Sequence, residues 1–321
     1  MANSSTSTDR KLLDPAALIK LGRLTLESRQ AMVGSVAGKH KSPHRGSSVE
    51  FAEYREYMPG DDLRRLDWRA YGRSDRFFIK EFEADTNLRL CMVVDGSGSM
   101  LFGDKSNPGN GDSLYSKFEY ASRMAALLGF VAIRQGEAAG LTIAAGKSQK
   151  SKQKSEQVQL PPRRRPSHLG LIQDALEGFE PRGEGDLAKC LHDLAEESRQ
   201  RAMVVVFSDL FSDPEELGDA FQHLKFRKHD AIVFHLLEQR ELEFSFDATT
   251  RFVDLEGGAP VIAEPSTMGR QYLAALEQYF AKLQDGVRKA DVDYHRAMIE
   301  EAPEDVLGRF LLARMQRRGR A

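Results

Sequence analysis

The chain has 321 residues, of which 41% are hydrophobic and 29% are charged, and this balance excludes disordered, collagen-like and disulfide-scaffold classes. Lysine and arginine number 46 and aspartate and glutamate 48, so the net charge of −2 argues against a global field for nucleic-acid binding. Two cysteines outside any C-x-x-C pair, Cys91 and Cys190, are typical of a reducing compartment. No apolar run reaches the roughly 20 residues of a spanning helix, and residues 1–10 lack the apolar core of a secretory signal. We therefore expect a cytoplasmic protein without membrane insertion.

The first predicted element is a helix that opens at Asp14-Pro15, where a first-turn proline is tolerated, and that ends at Gly34 and Gly38. A basic, turn-rich stretch follows over residues 39–48 and is interpreted as a solvated loop. Residues 1–44 are thus predicted to form an N-terminal helix and a basic linker.

A segment rich in arginine and aspartate comes next, and we predict a small β extension over residues 45–86. The pair Pro59-Gly60 has the residue order of a type II turn, and residues 77–82 are predicted to form a short strand. Charges of alternating sign surround Trp68, the only tryptophan. They form either a solvated face with weak ion pairs or a structured recognition network, and the sequence leaves both interpretations open.

Strands and helices are predicted to alternate through the last segment, residues 87–321. Apolar runs rich in β-branched residues predict buried strands, and apolar residues at helical spacing predict helices. The strands are predicted at 88–94, 138–145, 157–160, 203–207, 231–237 and 293–299, with an edge hairpin within 241–262. The helices are predicted at 117–135, 168–179, 186–199, 214–229, 266–283 and 303–315. This order predicts a doubly wound, mostly parallel α/β sheet with right-handed crossovers.

Two predicted strands end in polar loops. The first is followed by Asp95, Ser97 and Ser99 with glycines between them, and a later one by Ser208-Asp209. Ligands bind outside the carboxyl ends of strands in such sheets, so these loops are the first candidates for a site. One carboxylate and two hydroxyls at alternate positions suit Mg²⁺ or Mn²⁺, which prefer oxygen ligands. The alternative is a glycine-rich turn whose side chains cap backbone groups.

These motifs carry a resemblance to known families. DGSGSM after a buried strand, with SDL after a later one, resembles the metal-ion-dependent adhesion site of von Willebrand factor A domains. EYREYMPGDDLRRLDW, followed by FFIKEFE, is similar to a bacterial family, the domain of unknown function 58, over residues 45–300. The resemblance implies a von Willebrand factor A-like fold in which Asp95, Ser97 and Ser99 form the first metal motif. It also implies that Asp209 reaches the metal through water.

The middle metal motif departs from the family pattern. A-type domains usually present a threonine just before a helix, and here Gly185 stands at that position with Asp186 beside it. A hydroxyl ligand is therefore missing. Asp186 either substitutes as a metal ligand or caps the helix that begins there.

The resemblance implies a non-enzymatic protein-protein interaction module. Its metal loop would dock an acidic residue of a partner, and the family association suggests a MoxR-type AAA+ ATPase as that partner, in complex assembly or maturation. Fold-level analogy alone supports this function.

Two other functions are weighed against this one. A metal-dependent hydrolase or phosphotransferase could use Asp95 and Asp209 at the same site, although Asp104 and Asp186 are the only unforced candidates for a base or further ligand. Nucleic-acid binding through residues 147–165 is disfavoured because no aromatic residues interleave the basic ones.

Overall fold

The computed structural model describes residues 12–28, 51–56, 71–73, 76–82, 88–103, 115–145, 157–198, 200–244, 246 and 249–318. The chain divides into two compact units, one formed by residues 31–87 and the other by residues 1–30 together with 88–321. The predictions for the linker 39–48, Pro59-Gly60, Trp68 and Asp104 lie outside the described residues.

The smaller unit contains a two-stranded antiparallel sheet. Strand β1 (Phe51–Glu56) pairs with β2 (Phe78–Phe82), so that Phe51 lies opposite Phe82. The predicted strand at 77–82 is thereby confirmed within one residue. The rings of Tyr71 and Phe77 stack at 4.4 Å between centroids, which adds an aromatic contact next to β2.

The larger unit is built on a six-stranded sheet. Its strands are β3 (Arg89–Gly96), β4 (Ala138–Ala145), β5 (Val158–Arg163), β6 (Met203–Ser208), β7 (Asp230–Leu237) and β10 (Asp293–Met298). The order across the sheet is β10-β7-β6-β3-β4-β5, and every neighbouring pair is parallel except β4 with β5. A separate hairpin pairs β8 (Thr250–Phe252) with β9 (Val261–Ala263). The predicted mostly parallel sheet is confirmed. The hairpin predicted within 241–262 also forms, but as a separate two-stranded sheet and not at the edge of the six-stranded one.

Helices cover both faces of the six-stranded sheet. They are α1 (Pro15–Leu21), α2 (Lys117–Arg134), α3 (Pro166–Glu177), α4 (Leu187–Glu197), α5 (Pro214–Phe226), α6 (Gln239–Glu243), α7 (Pro265–Lys289) and α8 (Pro303–Arg318). Helices α1, α2, α3 and α8 pack together on one face, and α4, α5 and α7 on the other. None of the helices in the described ranges is both long and apolar enough to cross a membrane.

The core lies on both faces of the central strands. All six residues of β6 are buried, as expected for a parallel strand covered on both sides. Val204 and Val206 point to the cluster with α4 and α5. Phe207 stacks on Phe234, which meets Phe310 of α8 edge-on. Each large side chain buried in this way stabilises the fold by about 1.5–3 kcal/mol.

Two local predictions differ from the structure. Helix α1 ends at Leu21, before the predicted Gly34, because tertiary contacts satisfy the extended chain that follows: Arg134 donates to the Leu24 carbonyl at 2.6 Å, and the Leu26 amide donates to Gln135 at 2.9 Å. Strand β5 continues to Arg163, beyond the predicted 157–160, and includes two prolines. They are tolerated because β5 is an edge strand whose pairing with β4 shifts register at this point.

Candidate functional site

The candidate site lies at the carboxyl ends of β3 and β6. These strands are neighbours, with Val94 of β3 paired to Phe207 of β6, while the chain leaves β3 toward β4 on the opposite side. The connections therefore reverse direction between β3 and β6, and such a switch point opens a crevice where α/β proteins bind ligands. The loops that begin after Asp95 and after Ser208 flank this crevice.

Asp95 is the most enclosed acidic group of the site, with 3% of its surface exposed. Its Oδ1 accepts the Ser97 backbone amide at 3.0 Å, and its Oδ2 accepts the Ser208 hydroxyl at 2.5 Å. Burial raises the pKa of Asp95 to about 6, the nearby Asp209 carboxylate adds to this, and the hydrogen bonds from Ser208 and Ser97 oppose it. In the part of the chain that the structure describes, no lysine or arginine pairs with this carboxylate, so its charge is met by neutral donors.

Ser97 and Ser99 present two hydroxyl groups beside this carboxylate. A short 3₁₀ turn over Gly98–Leu101 follows Ser97, and it brings the two Oγ atoms to 2.9 Å of each other. Adjacent ligands of an octahedral Mg²⁺ at 2.0–2.1 Å lie about 2.9 Å apart. The hydroxyl pair and its hard-oxygen chemistry therefore fit the metal that the resemblance implies.

A third loop, which leads from α3 into α4, contributes backbone atoms to the site and no hydroxyl group. A Cβ on Gly185 would lie 2.9 Å from the Ser97 Cβ and 3.2 Å from Asp95 Oδ1, so the position usual for threonine has no room for one here without a shift. This loop instead contacts the Ser97–Ser99 turn through its backbone, since the Gly98 amide donates to the Gly183 carbonyl at 2.8 Å. Asp186 caps α4, its Oδ1 accepting the Lys189 amide at 3.2 Å.

Asp209 lies in a different charge environment from Asp95. The buried ammonium of Lys117 lies 3.2 Å from Asp209 Oδ2 and 2.6 Å from Glu241 Oε1. Burial alone would lower the pKa of Lys117, but the charges of Asp209 and Glu241 outweigh it and hold this pKa above its ordinary value. Lys117 is therefore an internal cation that Asp209 and Glu241 share.

The chain after Asp209 is held in a tight turn. Leu210 has a φ of +54°, and the Tyr279 hydroxyl donates to the carbonyls of Leu210 and Ser212. The Phe211 amide donates to Asp209 Oδ1 at 3.2 Å, while 73% of the Phe211 side chain is exposed. The turn thus leaves a large aromatic side chain in solvent beside the site.

The structure places Asp95, Ser97, Ser99 and Asp209 together at the carboxyl ends of the neighbouring strands β3 and β6, as the two polar loops predicted. Sequence reasoning missed other residues that bear on the site: Lys117, Glu241 and Glu256. A lysine in the first turn of a helix is unfavourable, because its positive charge opposes the helix dipole. Lys117 directly follows the helix cap Ser116, and this unusual position is the one signal for it in the sequence. His235 is buried, and its Nδ1 lies 2.6 Å from the Tyr294 hydroxyl.

Residues 53–278 match the family described as "Protein of unknown function DUF58". The chain belongs to this family. Uncharacterized proteins of Mycobacterium bovis and Mycobacterium tuberculosis are 29% identical to it over 248 residues, which cover 76% of this chain and 73% of theirs. The DUF58 resemblance expected from the sequence is confirmed.

Solved structures similar to the chain include an aerotolerance-related membrane protein from Bacteroides fragilis, at 13% identity and a TM-score of 0.43. That comparison covers 71% of this chain and 98% of the other. BatB from Bacteroides thetaiotaomicron is 14% identical with a TM-score of 0.44, covering 71% of this chain and 99% of BatB.

Proposed function

We propose that this DUF58 protein is a non-enzymatic docking module that holds Mg²⁺ or Mn²⁺ at Asp95, Ser97 and Ser99 and binds an acidic residue of a partner protein. The observation that supports it is the 2.9 Å spacing of the two hydroxyls beside a buried carboxylate at the switch point of the sheet. Asp209 would act through water, as in the adhesion sites of von Willebrand factor A domains.

The charges of the site favour an acidic ligand. Asp95 is the one carboxylate of the first loop, and Asp209 already pairs with the ammonium of Lys117, which it shares with Glu241. A divalent cation held by one carboxylate and two neutral hydroxyls keeps a net positive charge, which attracts a further carboxylate in a partly desolvated crevice. The bound metal would supply an electrophilic position, and the protein supplies its orientation.

The surface beside the loops suits a protein partner. The exposed fractions are 73% for Phe211, which follows Asp209, and 40% for Leu101, which ends the turn after Ser99. Aromatic and aliphatic anchors next to a central polar contact are typical of binding hot spots. By family association we propose a MoxR-type AAA+ ATPase as this partner, in complex assembly or maturation within the cytoplasm.

Metal binding is tested first, by titrating Mn²⁺ into the wild type, Asp95→Ala and Ser99→Ala and following the bound fraction by electron paramagnetic resonance. The matched control is Asp219→Ala, which removes an exposed carboxylate from α5. We expect at least about tenfold weaker binding for both site variants and no change for the control, since each site variant removes a direct ligand. Equal affinity in all four proteins would reject the metal site.

Docking is tested by a pull-down with the MoxR-type ATPase of the same organism. We expect recovery by the wild type and Asp219→Ala in Mg²⁺, and loss of recovery in EDTA or with Asp95→Ala. Equal recovery under all these conditions would reject metal-mediated docking. Turnover of phosphate esters or nucleotides by the wild type, above that of Asp95→Ala, would replace the docking function with the enzymatic alternative.

A further inference from the structure

The segment between β8 and β9 lies directly on the loop of the two serines. A Cβ on Gly98 would lie 2.2 Å from the Leu255 carbonyl oxygen and 2.8 Å from its carbon. Contact this close is possible because residue 98 has no side chain, so the backbone of the hairpin segment approaches the backbone of the Ser97–Ser99 turn. A distant part of the chain therefore covers one side of the candidate site.

This covering segment has a defined conformation. Asp254 accepts the amides of Glu256 at 2.8 Å and of Gly258 at 3.0 Å, and Gly257 adopts a φ of +109° that other residues rarely take. Residues 253–260 are otherwise exposed, but Glu256 is partly covered. The turn therefore directs one acidic side chain inward.

Glu256 faces Ser99. A Cβ on Gly98 would lie 3.3 Å from the Glu256 backbone nitrogen, so the turn places this residue directly beside Ser99. Burial raises the pKa of Glu256 above its ordinary value, the charges of Asp209 and Asp95 add to this, and hydrogen bonding with Ser99 opposes it. Two like charges nearby make this an unfavourable place for a third carboxylate unless a cation balances them.

We propose that Glu256 is an internal acidic ligand of the site, which occupies the position where a partner's acidic residue docks. The inference rests on the proposed function and adds that docking is an exchange, in which the partner's carboxylate displaces that of Glu256. The surrounding segment 253–260 is exposed and can move aside without disturbing the core. An internal ligand competes at high effective concentration, so it lowers the apparent affinity of every acidic ligand by the same factor, and only ligands of high intrinsic affinity still bind at low concentration.

The test compares the wild type with Glu256→Gln, which keeps the shape of the side chain and removes its charge. Glu264→Gln is the matched control, because Glu264 lies just after the same hairpin, is exposed and makes no capping hydrogen bond. Two quantities are measured with Mn²⁺ bound: the relaxation rate of water protons, and the displacement of that water by glutarate, a free dicarboxylate.

We expect Glu256→Gln to relax water protons faster, because water takes the place of the carboxylate. We also expect it to bind glutarate at least about tenfold more tightly than the wild type or Glu264→Gln. If Mn²⁺ binds through Asp95 but Glu256→Gln matches the wild type in both measurements, the inference is wrong and the docking function stands. If Mn²⁺ binding does not depend on Asp95, the proposed function fails and the inference fails with it.

Discussion

Asp95, near the end of β3, and Asp209, directly after β6, are buried aspartates at the carboxyl ends of neighbouring strands, and their two carboxylates are balanced in different ways. Asp95 receives hydrogen bonds from the Ser97 amide and the Ser208 hydroxyl, both neutral groups. Asp209 receives an ion pair from the buried ammonium of Lys117. The two aspartates are thus chemically unlike, although each lies at the end of a buried strand.

This difference indicates where a cation would bind. A buried charge is costly unless a partner balances it, and Asp209 already pairs with Lys117. Asp95 shows the effect of lacking such a partner, since burial raises its pKa to about 6. A metal ion would therefore gain most beside Asp95 and the two serine hydroxyls, with Asp209 at the margin of the site.

The largest effect is expected when the internal cation is removed. Lys117→Met keeps much of the side-chain volume but leaves Asp209 and Glu241 without their shared partner, and we expect a loss of about 3–5 kcal/mol in the free energy of unfolding. Urea unfolding measures this loss. Lys189→Met, at an exposed position of α4, should stay within about 0.5 kcal/mol of the wild type. Similar stability of both variants would mean that Lys117 does not balance the charges of Asp209 and Glu241.

The raised pKa of Asp95 makes stability depend on pH in metal-free protein. The unfolded chain releases this proton near its ordinary pKa of 3.8, whereas the folded protein keeps it up to about pH 6. The folded state thus binds more protons in this window, so the free energy of unfolding falls as pH rises from about 4 to about 6, by about 3 kcal/mol. Asp95→Asn should lack this fall when unfolding is measured in urea with EDTA. Parallel pH profiles would contradict it.

An intermediate effect is expected from placing a threonine at position 185, where glycine stands. Gly185→Thr places a Cβ 2.9 Å from that of Ser97, so overpacking should lower the free energy of unfolding by about 1–3 kcal/mol. We expect no gain in Mn²⁺ affinity. Glu184→Thr, at the exposed neighbouring position, controls for the loop itself. A stable Gly185→Thr variant with tighter Mn²⁺ binding would show that the loop accommodates a third hydroxyl.

The smallest effect is expected at the outer partner of Lys117. Glu241→Gln removes one of two carboxylates from the ammonium, but its side chain is 24% exposed and water can replace part of the interaction. We expect a loss of about 1 kcal/mol in urea unfolding. A loss as large as that of Lys117→Met would place the main charge balance at Glu241 instead of Asp209.

Much of the larger unit could be predicted from local patterns. Helix α2 begins after Ser116, where the side chain accepts the Glu119 amide in a capping box, and α5 begins after Asp213, whose side chain accepts the Glu215 and Glu216 amides. The all-buried β6 was visible as a run of apolar and β-branched residues. These signals act over a few neighbouring residues, and for that reason they survive in the sequence.

Only part of the candidate site could be predicted from the sequence. Asp95, Ser97 and Ser99 stand in one short motif, so their pattern could be read directly. Glu256 lies more than 150 residues farther along and has no local motif, and its contact with Ser99 follows from the path of the β8–β9 hairpin. The lack of room at Gly185 also depends on how closely two loops pack, which residue types alone do not report.

The sequence by itself determined the alternation of strands and helices and the oxygen-rich motif of Asp95, Ser97 and Ser99, because periodicity and short motifs are local properties of the chain. Only the tertiary structure decided the strand order that brings Asp95 beside Ser208, the pairing of Asp209 with Lys117, and the position of Glu256 over Ser99. Each of these joins residues remote in sequence. Their energies come from burial and charge, which exist only once the sheet and its covering helices have assembled.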